Sequence, residues 1–209
     1  MWSYFFDSSA IAKRYVRETG QGWVKDLCLA AKSEEGDLYI SEVAEVEIVR
    51  VICAKARETP SSRRKVVAAR DGMIEQFTRH CDPITGEYDV VAFTPAIIHQ
   101  ARVLCKRHGI KSFDAVQLAT AMVIRDFEKS AGYSSPIFVT ADAGLQRYAR
   151  AENFTVEDPE EHPYPGEPPV SRTVSVPLRR QLQFPLKWVG LYQATPDTSS
   201  VSLPPAKQP

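Results

Sequence analysis

The sequence predicts an α/β sandwich built on a small, mostly parallel sheet. Three observations carry this. Two short runs, Trp2-Ser3-Tyr4-Phe5-Phe6 and Pro136-Ile137-Phe138-Val139-Thr140, are too brief for helices and read as buried strands. Between them lie longer segments with an apolar period near 3.6 residues. Strands and helices interleave along the chain, as they do when helices link parallel strands.

Taken in order, strand 1 spans residues 3–6 and stops at Asp7. A helix over 9–17 follows and ends near Thr19-Gly20. A second begins after Gly22 and carries Trp23, Val24, Leu27, Cys28 and Ala31 as one stripe. Ser33-Glu34-Glu35-Gly36 breaks it. Leu38-Tyr39-Ile40 is a short strand or an extended lead-in. Ser41 is a suitable N-cap for a helix over 42–57 that is apolar on several sides, through Val43, Val46, Ile48, Val49, Val51 and Ile52. Such a helix is central to the core or part of an interface.

Thr59-Pro60-Ser61-Ser62 is a break. The next helix, 63–80, opens on Arg63-Arg64-Lys65 and is weakened by Gly72. Residues 82–86 are a loop and 88–93 a strand. Thr94-Pro95 pairs an N-cap with proline at the first helical position, and Gly109 stops that helix after His108. Ser112 caps a helix over 113–127. A final helix runs from Ala143 to about Glu152, and 154–156 form an edge strand. This pattern defines a domain over residues 1–156. Residues 157–209 hold 11 of the 15 prolines and no helical period, which predicts a largely irregular tail, with 173–192 adding an extended strand or two.

Composition bounds the function. The 26 basic and 26 acidic residues cancel, which argues against nucleic-acid binding through net charge while leaving room for a local basic surface. The four cysteines lie far apart and form no C-x-x-C pair, so they read as small core residues in a reducing compartment. His80-Cys81 is the only local hint of a soft metal, and two adjacent donors do not make a site. No signal peptide or transmembrane span is visible, and a cytoplasmic location is expected.

Four acids are the candidate chemistry. Asp7 ends strand 1 just before a helix, where open α/β sheets place ligands. Asp142 repeats that arrangement two residues after Thr140. Asp114 sits in the first turn of its helix and shares a face with Leu118 and Ala121. Glu47 lies on a stripe with Val43, Val51 and Ala54. Taken singly, each has an ordinary explanation: an N-cap for Asp142, a helix-dipole acid for Asp114, an i+3 pair with Arg50 for Glu47, a turn former for Asp7. Gathered together, ionised carboxylates repel and need a cation, and their hard oxygens suit Mg²⁺ or Mn²⁺.

Four segments, F-F-D-S-S-A-I-A-K-R-Y-V, S-E-V-A-E-V-E-I-V-R, K-S-F-D-A-V-Q-L-A-T-A and F-V-T-A-D-A-G-L-Q-R-Y-A, resemble in order the PIN domain, in particular the VapC-type toxins of prokaryotic type II toxin–antitoxin modules. The resemblance covers residues 3–156. It implies a three-layer α/β/α sandwich with Asp7, Glu47, Asp114 and Asp142 as the catalytic and metal-site acids. Ser8, Ser9 and Thr140 match hydroxyls that line such sites. It further implies a cytoplasmic endoribonuclease using Mg²⁺ or Mn²⁺, with RNA as substrate and a small antitoxin as partner. The apolar sides of helices 42–57 and 63–80 are expected to serve that antitoxin or a homodimer. Lys13, Arg14 and Lys111 lie near these motifs and are candidate phosphate contacts. The proline-rich tail is not part of the family core.

Other readings stay open. An RNA-processing or DNA nuclease outside a toxin pair would use the same acids. A non-catalytic PIN-like binding module would not need all four. A phosphatase with Asp7 as nucleophile would want a second acid two residues on, where the chain has Ser9.

Overall fold

A computed structural model describes residues 2–162 apart from residue 35. The described chain carries five strands in the order β3-β2-β1-β4-β5, every pairing parallel. The strands are β1 (Ser3–Phe6), β2 (Asp37–Ser41), β3 (Asp89–Val91), β4 (Ile137–Val139) and β5 (Val156–Glu157). Seven α-helices connect or flank them: α1 (Ser8–Ile11), α2 (Gln21–Glu34), α3 (Glu42–Glu58), α4 (Arg63–His80), α5 (Pro95–His108), α6 (Ser112–Ser130) and α7 (Ala143–Ala151).

The alternation of β1 explains the three layers. Tyr4 and Phe6 point to one side of the sheet and Phe5 to the other. Tyr4 and Phe6 join Ile40, Val139 and the buried residues of α1, α2 and α3 in one apolar cluster. Phe5 joins Tyr39, Phe138 and the buried faces of α5, α6 and α7 in the second, with the Phe5 and Phe138 rings stacked at 5.4 Å. The sheet is therefore covered on both faces, as an all-parallel sheet requires.

Several helix ends follow the sequence. Thr94 accepts the Ile97 N–H at 3.3 Å, Pro95 opens α5, and Gly109 closes it in the left-handed region at φ 66°. Helix α4 runs unbroken through Gly72, whose side faces open space. Elsewhere the structure differs. The expected helix over 9–17 is only α1 followed by a 3-10 turn at Ala12–Arg14, because the chain must bend sharply to bring Tyr15 and Val16 into the core. The cap of α6 is Lys111 and Ser112 is its first residue. The expected strand over 88–93 is trimmed to β3: Tyr88 leaves the sheet to bond the Tyr15 hydroxyl at 2.8 Å, and Phe93 is exposed. The edge strand expected at 154–156 forms as β5, shifted to Val156–Glu157.

Packing continues past residue 156. After β5 a 3-10 turn, Pro159–Glu161, lies against the start of α2, and His162 stacks on Trp23 at 4.5 Å. Gly20 is what permits this approach. It sits at φ 81°, and a Cβ there would fall 2.2 Å from the Pro159 carbonyl oxygen. The remainder of the proline-rich stretch, with its expected strands at 173–192, lies outside the described residues. The four cysteines are free, Cys28 buried and the others half-buried. Among the described residues no helix is long and apolar enough to cross a membrane.

Candidate active site

The strand order sets the position of the site. From β1 the chain steps to β2 and β3 on one side, then returns to β4 and β5 on the other. The connection changes direction between β1 and β4, and the carboxyl ends of strands at such a switch point frame a crevice. Phe6 lies in register with Val139, and the Asp7 N–H donates to the Val139 carbonyl at 3.1 Å. The residues that follow, Asp7 to Ser9 and Thr140 to Asp142, therefore meet although over 130 positions separate them.

Asp7 is 5% exposed. Its Oδ1 accepts from the Ser9 hydroxyl at 2.8 Å and from the Ala10 N–H at 3.0 Å. Ser9 Oγ lies 3.4 Å from Thr140 Oγ1 and accepts the Ala141 N–H at 3.0 Å. Thr140 Oγ1 accepts the Asp142 N–H at 3.1 Å. The two hydroxyls thus stitch the ends of β1 and β4 together around one carboxyl. Burial pushes that carboxyl up to about 7, against the opposing pull of its Ser9, Ala10 and Thr140 hydrogen bonds. Asp142 is exposed, and its Oδ1 accepts the Leu145 N–H at 2.8 Å. Both strand-end aspartates thus cap the helix after them, and Asp7 does so while buried.

Glu47 reaches the same region from α3. No pair with Arg50 forms among the described residues. Its Oε2 instead accepts from the Ser8 hydroxyl in a very short contact, and from Gln117 Nε2 at 3.0 Å. Gln117 Nε2 also donates to Ser8 Oγ at 2.6 Å. Asp114 lies one turn before Gln117 on α6. Its carboxyl is raised above the usual range, first by burial and then by the negative charge of Asp142, with a further upward push from Glu47 and a downward pull from Lys111. Asp114 therefore feels the charges of two of the other three acids, Asp142 and Glu47.

Gln117 escaped the sequence reading. It is 2% exposed, and its Oε1 is buried without a hydrogen-bond partner. Its signal was present as a polar side chain in the otherwise apolar run Ala115 to Ala119, three residues after Asp114.

The structure pairs Lys13 and Arg14, two of the expected phosphate contacts, with acids and a tyrosine of this chain. The 3-10 turn carries both inward. Lys13 is 2% exposed and bonds Glu160 at 2.8 Å, with Glu18 at 3.6 Å. Arg14 donates to the Tyr88 hydroxyl at 2.6 Å and pairs with Glu87. These two cations pin the 159–161 turn and the loop before β3. Lys111 is exposed and close enough to Asp114 to lower its pKa.

The groups that meet Asp7, Glu47 and Asp142 among the described residues are the hydroxyls of Ser8, Ser9 and Thr140, backbone N–H groups and the Gln117 amide, beside the carboxylates themselves. The carboxylate and hydroxyl oxygens fit a hard divalent cation. A cation would offset the burial that raises Asp7 and the repulsion that Asp114 feels. Among the described residues no three His, Cys, Asp or Glu side chains already form a metal-binding cluster.

The chain matches the sequence profile of the PIN domain over residues 4–151. Similar solved structures include PAE2754 from Pyrobaculum aerophilum, at 15% identity over 77% of this chain and 86% of that one, with a TM-score of 0.45. VapBC2 from Rickettsia felis bound to a DNA fragment from their promoter is 13% identical over 75% and 98%, with a TM-score of 0.48. A toxin–antitoxin complex from Klebsiella pneumoniae is 17% identical over 75% and 97%, with a TM-score of 0.44. No curated protein sequence matches the chain.

Proposed function

The chain belongs to the PIN domain family, whose members are nucleases, and from that premise we propose that it is a Mg²⁺- or Mn²⁺-dependent endoribonuclease acting as the toxin of a toxin–antitoxin pair. The observation that carries the reading is the meeting of the β1 and β4 ends at the switch point, with Asp7 in a cradle of Ser9 and Thr140 and Glu47 bonded to the neighbouring Ser8. The toxin assignment rests on the four sequence segments that resemble VapC.

When bound, the divalent cation supplies positive charge against the scissile phosphodiester and lowers the pKa of a water that it holds. Asp7 and Asp114 are its most direct ligands in this reading, with Glu47 toward a water or a second ion and Asp142 in support. Ser9 and Thr140 hold the Asp7 carboxyl in one orientation and offer hydroxyls to a water or a phosphate oxygen. Gln117 and Ser8 hold Glu47 in place. A small antitoxin and a second copy of the chain are the proposed protein partners. The apolar residues of α3 that stay outside the core, Val46 above all at 75% exposure, are available to them.

The test is RNA cleavage by the purified full chain. Cleavage is expected with Mg²⁺ or Mn²⁺, leaving 5′-phosphate ends, and is expected to vanish with EDTA and in Asp7→Asn. Cleavage that survives both treatments overturns the metal-centre reading. Cleavage of DNA alone moves the protein to the other nuclease class. Copurification of a small amphipathic protein encoded beside the chain supports the toxin assignment.

A further inference from the structure

The net charge of the chain is zero, but its charge is not evenly spread. Residues 50–70 carry Arg50, Lys55, Arg57, Arg63, Arg64, Lys65 and Arg70 against the single acid Glu58. In the structure this segment is the second half of α3, its turn, and the start of α4. Lys55 pairs with Glu18 and Glu58, and Arg70 with Asp71. Arg50, Arg57, Arg63, Arg64 and Lys65 make no ion pair among the described residues, and all five are exposed.

The turn also holds a cavity of about 340 Å³, lined by Arg57, Arg63, Arg70, Thr59 and Ser61 and by the small side chains of Cys53, Ala56, Val66 and Val67. A basic helix face is ordinarily just solvated. Here three guanidinium groups from two helices instead line one concavity beside two hydroxyls. Asp71 answers Arg70 alone, so an anion would relieve the repulsion that Arg57 and Arg63 keep, and the guanidinium fork suits phosphate oxygens.

Helix α3 links this cavity to the acids. Glu47, Arg50, Ala54 and Arg57 are spaced i, i+3, i+7 and i+10, one stripe along the helix. At 1.5 Å per residue, Glu47 and Arg57 are about 15 Å apart along the axis. A stacked nucleic-acid strand advances about 3.4 Å per nucleotide, so the interval spans about four nucleotides.

We propose that the cavity at the α3–α4 turn is a phosphate seat for the RNA chain, engaging the backbone about four nucleotides from the bond to be cut, with Arg50 along the path. The inference rests on the ribonuclease reading and specifies how that site holds its substrate. An acidic peptide would also answer the positive charge. The unbroken stripe from Glu47 favours the nucleic acid, because it joins the seat to the acid centre.

The experiment measures binding of a fluorescently labelled RNA of about 20 nucleotides, by anisotropy, to the full chain carrying Asp7→Asn so that no cleavage intervenes, in Mg²⁺ and over a series of salt concentrations. Adding Arg57→Glu and Arg63→Glu, both at exposed positions, is expected to weaken binding at least about tenfold and to reduce the salt slope by about 1.4, the share of two single-strand phosphates. Arg57→Lys with Arg63→Lys keeps most of the affinity. Equal affinity and slope for the long RNA, in a reversed variant whose melting temperature is unchanged, overturns the seat alone. Loss of poly-glutamate binding with RNA binding intact overturns it in favour of a protein partner. A parent chain that binds no RNA overturns the ribonuclease reading and the seat with it.

Discussion

At the scale of the residue, Asp7 shows how one carboxyl can do an ordinary and an unusual job together. Its Oδ1 caps α1 through the Ala10 N–H, yet burial raises its pKa to about 7 from the ordinary 3.8. The folded protein therefore holds a proton that the unfolded chain releases near pH 4. This contribution to stability is fully present below that pH and is lost as pH rises through about 7. In EDTA, the stability of the native chain relative to the Asp7→Asn variant is expected to fall by roughly 3 kcal/mol between about pH 5 and pH 8, leaving the variant the more stable of the two at the upper end. Urea denaturation of both proteins across that range checks it. Added Mn²⁺ should recover the native chain and not the variant.

Gln117 belongs to the same scale. Its amide N–H groups serve Ser8 and Glu47, while its carbonyl oxygen is buried without a partner. Replacing it with leucine removes the orphan together with the two bonds, so stability is expected to change by less than about 1.5 kcal/mol. Mn²⁺ affinity, read by electron paramagnetic resonance, is expected to fall about tenfold, because Glu47 loses a group that orients it. An unchanged Mn²⁺ affinity would show that Gln117 is a packing residue only.

At the scale of the element, what was legible and what was not divides along a clear physical line. Helix α5 was readable to its ends because both stop signals are local: Thr94-Pro95 at one and Gly109 at the other. Strand β1 was readable because the short apolar and aromatic run from Trp2 to Phe6 stops at Asp7. The placements that failed depend on partners far away in sequence. Lys13 and Arg14 look like surface cations until Glu160 and Glu87 arrive to bury them. Tyr88 looks like the start of a strand until Tyr15 takes its hydroxyl. Ser41 looks like a cap, but its side chain makes no capping bond and its hydroxyl lies 3.2 Å from that of Thr120. Of the candidate site, the positions of Asp7 and Asp142 at strand ends were legible from local pattern. The link from Glu47 to Gln117 was not, because it forms only when α3 and α6 pack. The Gly20 contact yields a prediction at this scale. Gly20→Ala adds a Cβ against the Pro159 carbonyl at a left-handed φ, so it is expected to destabilise the fold by about 1–3 kcal/mol in urea titrations and to expose the 159–161 turn to proteolysis.

At the scale of the whole molecule, the strand order ranks the sheet by stability. β1 lies in the middle, between β2 and β4, with packed clusters on both faces. β3 and β5 are the edges and only three and two residues long. Hydrogen exchange is expected to be slowest at the β1 amides, in particular Phe5 and Phe6, and fastest among the strands at β5. Comparable protection at β5 and β1 would contradict the topology. The sandwich itself was legible because its signal is a count and an order of elements, which survive errors of a few residues at their ends. The pairing order was not, since nothing in β4 alone says that it lies beside β1.

That adjacency of β1 and β4 has a consequence in time. The first proposed ligand, Asp7, is synthesised more than 130 residues before Thr140, which follows the strand that closes its cradle. Ser9 has no Thr140 to meet, and Asp114 no Asp142 to feel, until most of the described chain has been made. No nascent fragment shorter than this holds the complete centre. If the proposed centre is the active one, the nascent chain stays inert until Thr140 and Asp142 have been made, an interval long enough for the proposed antitoxin to meet it first.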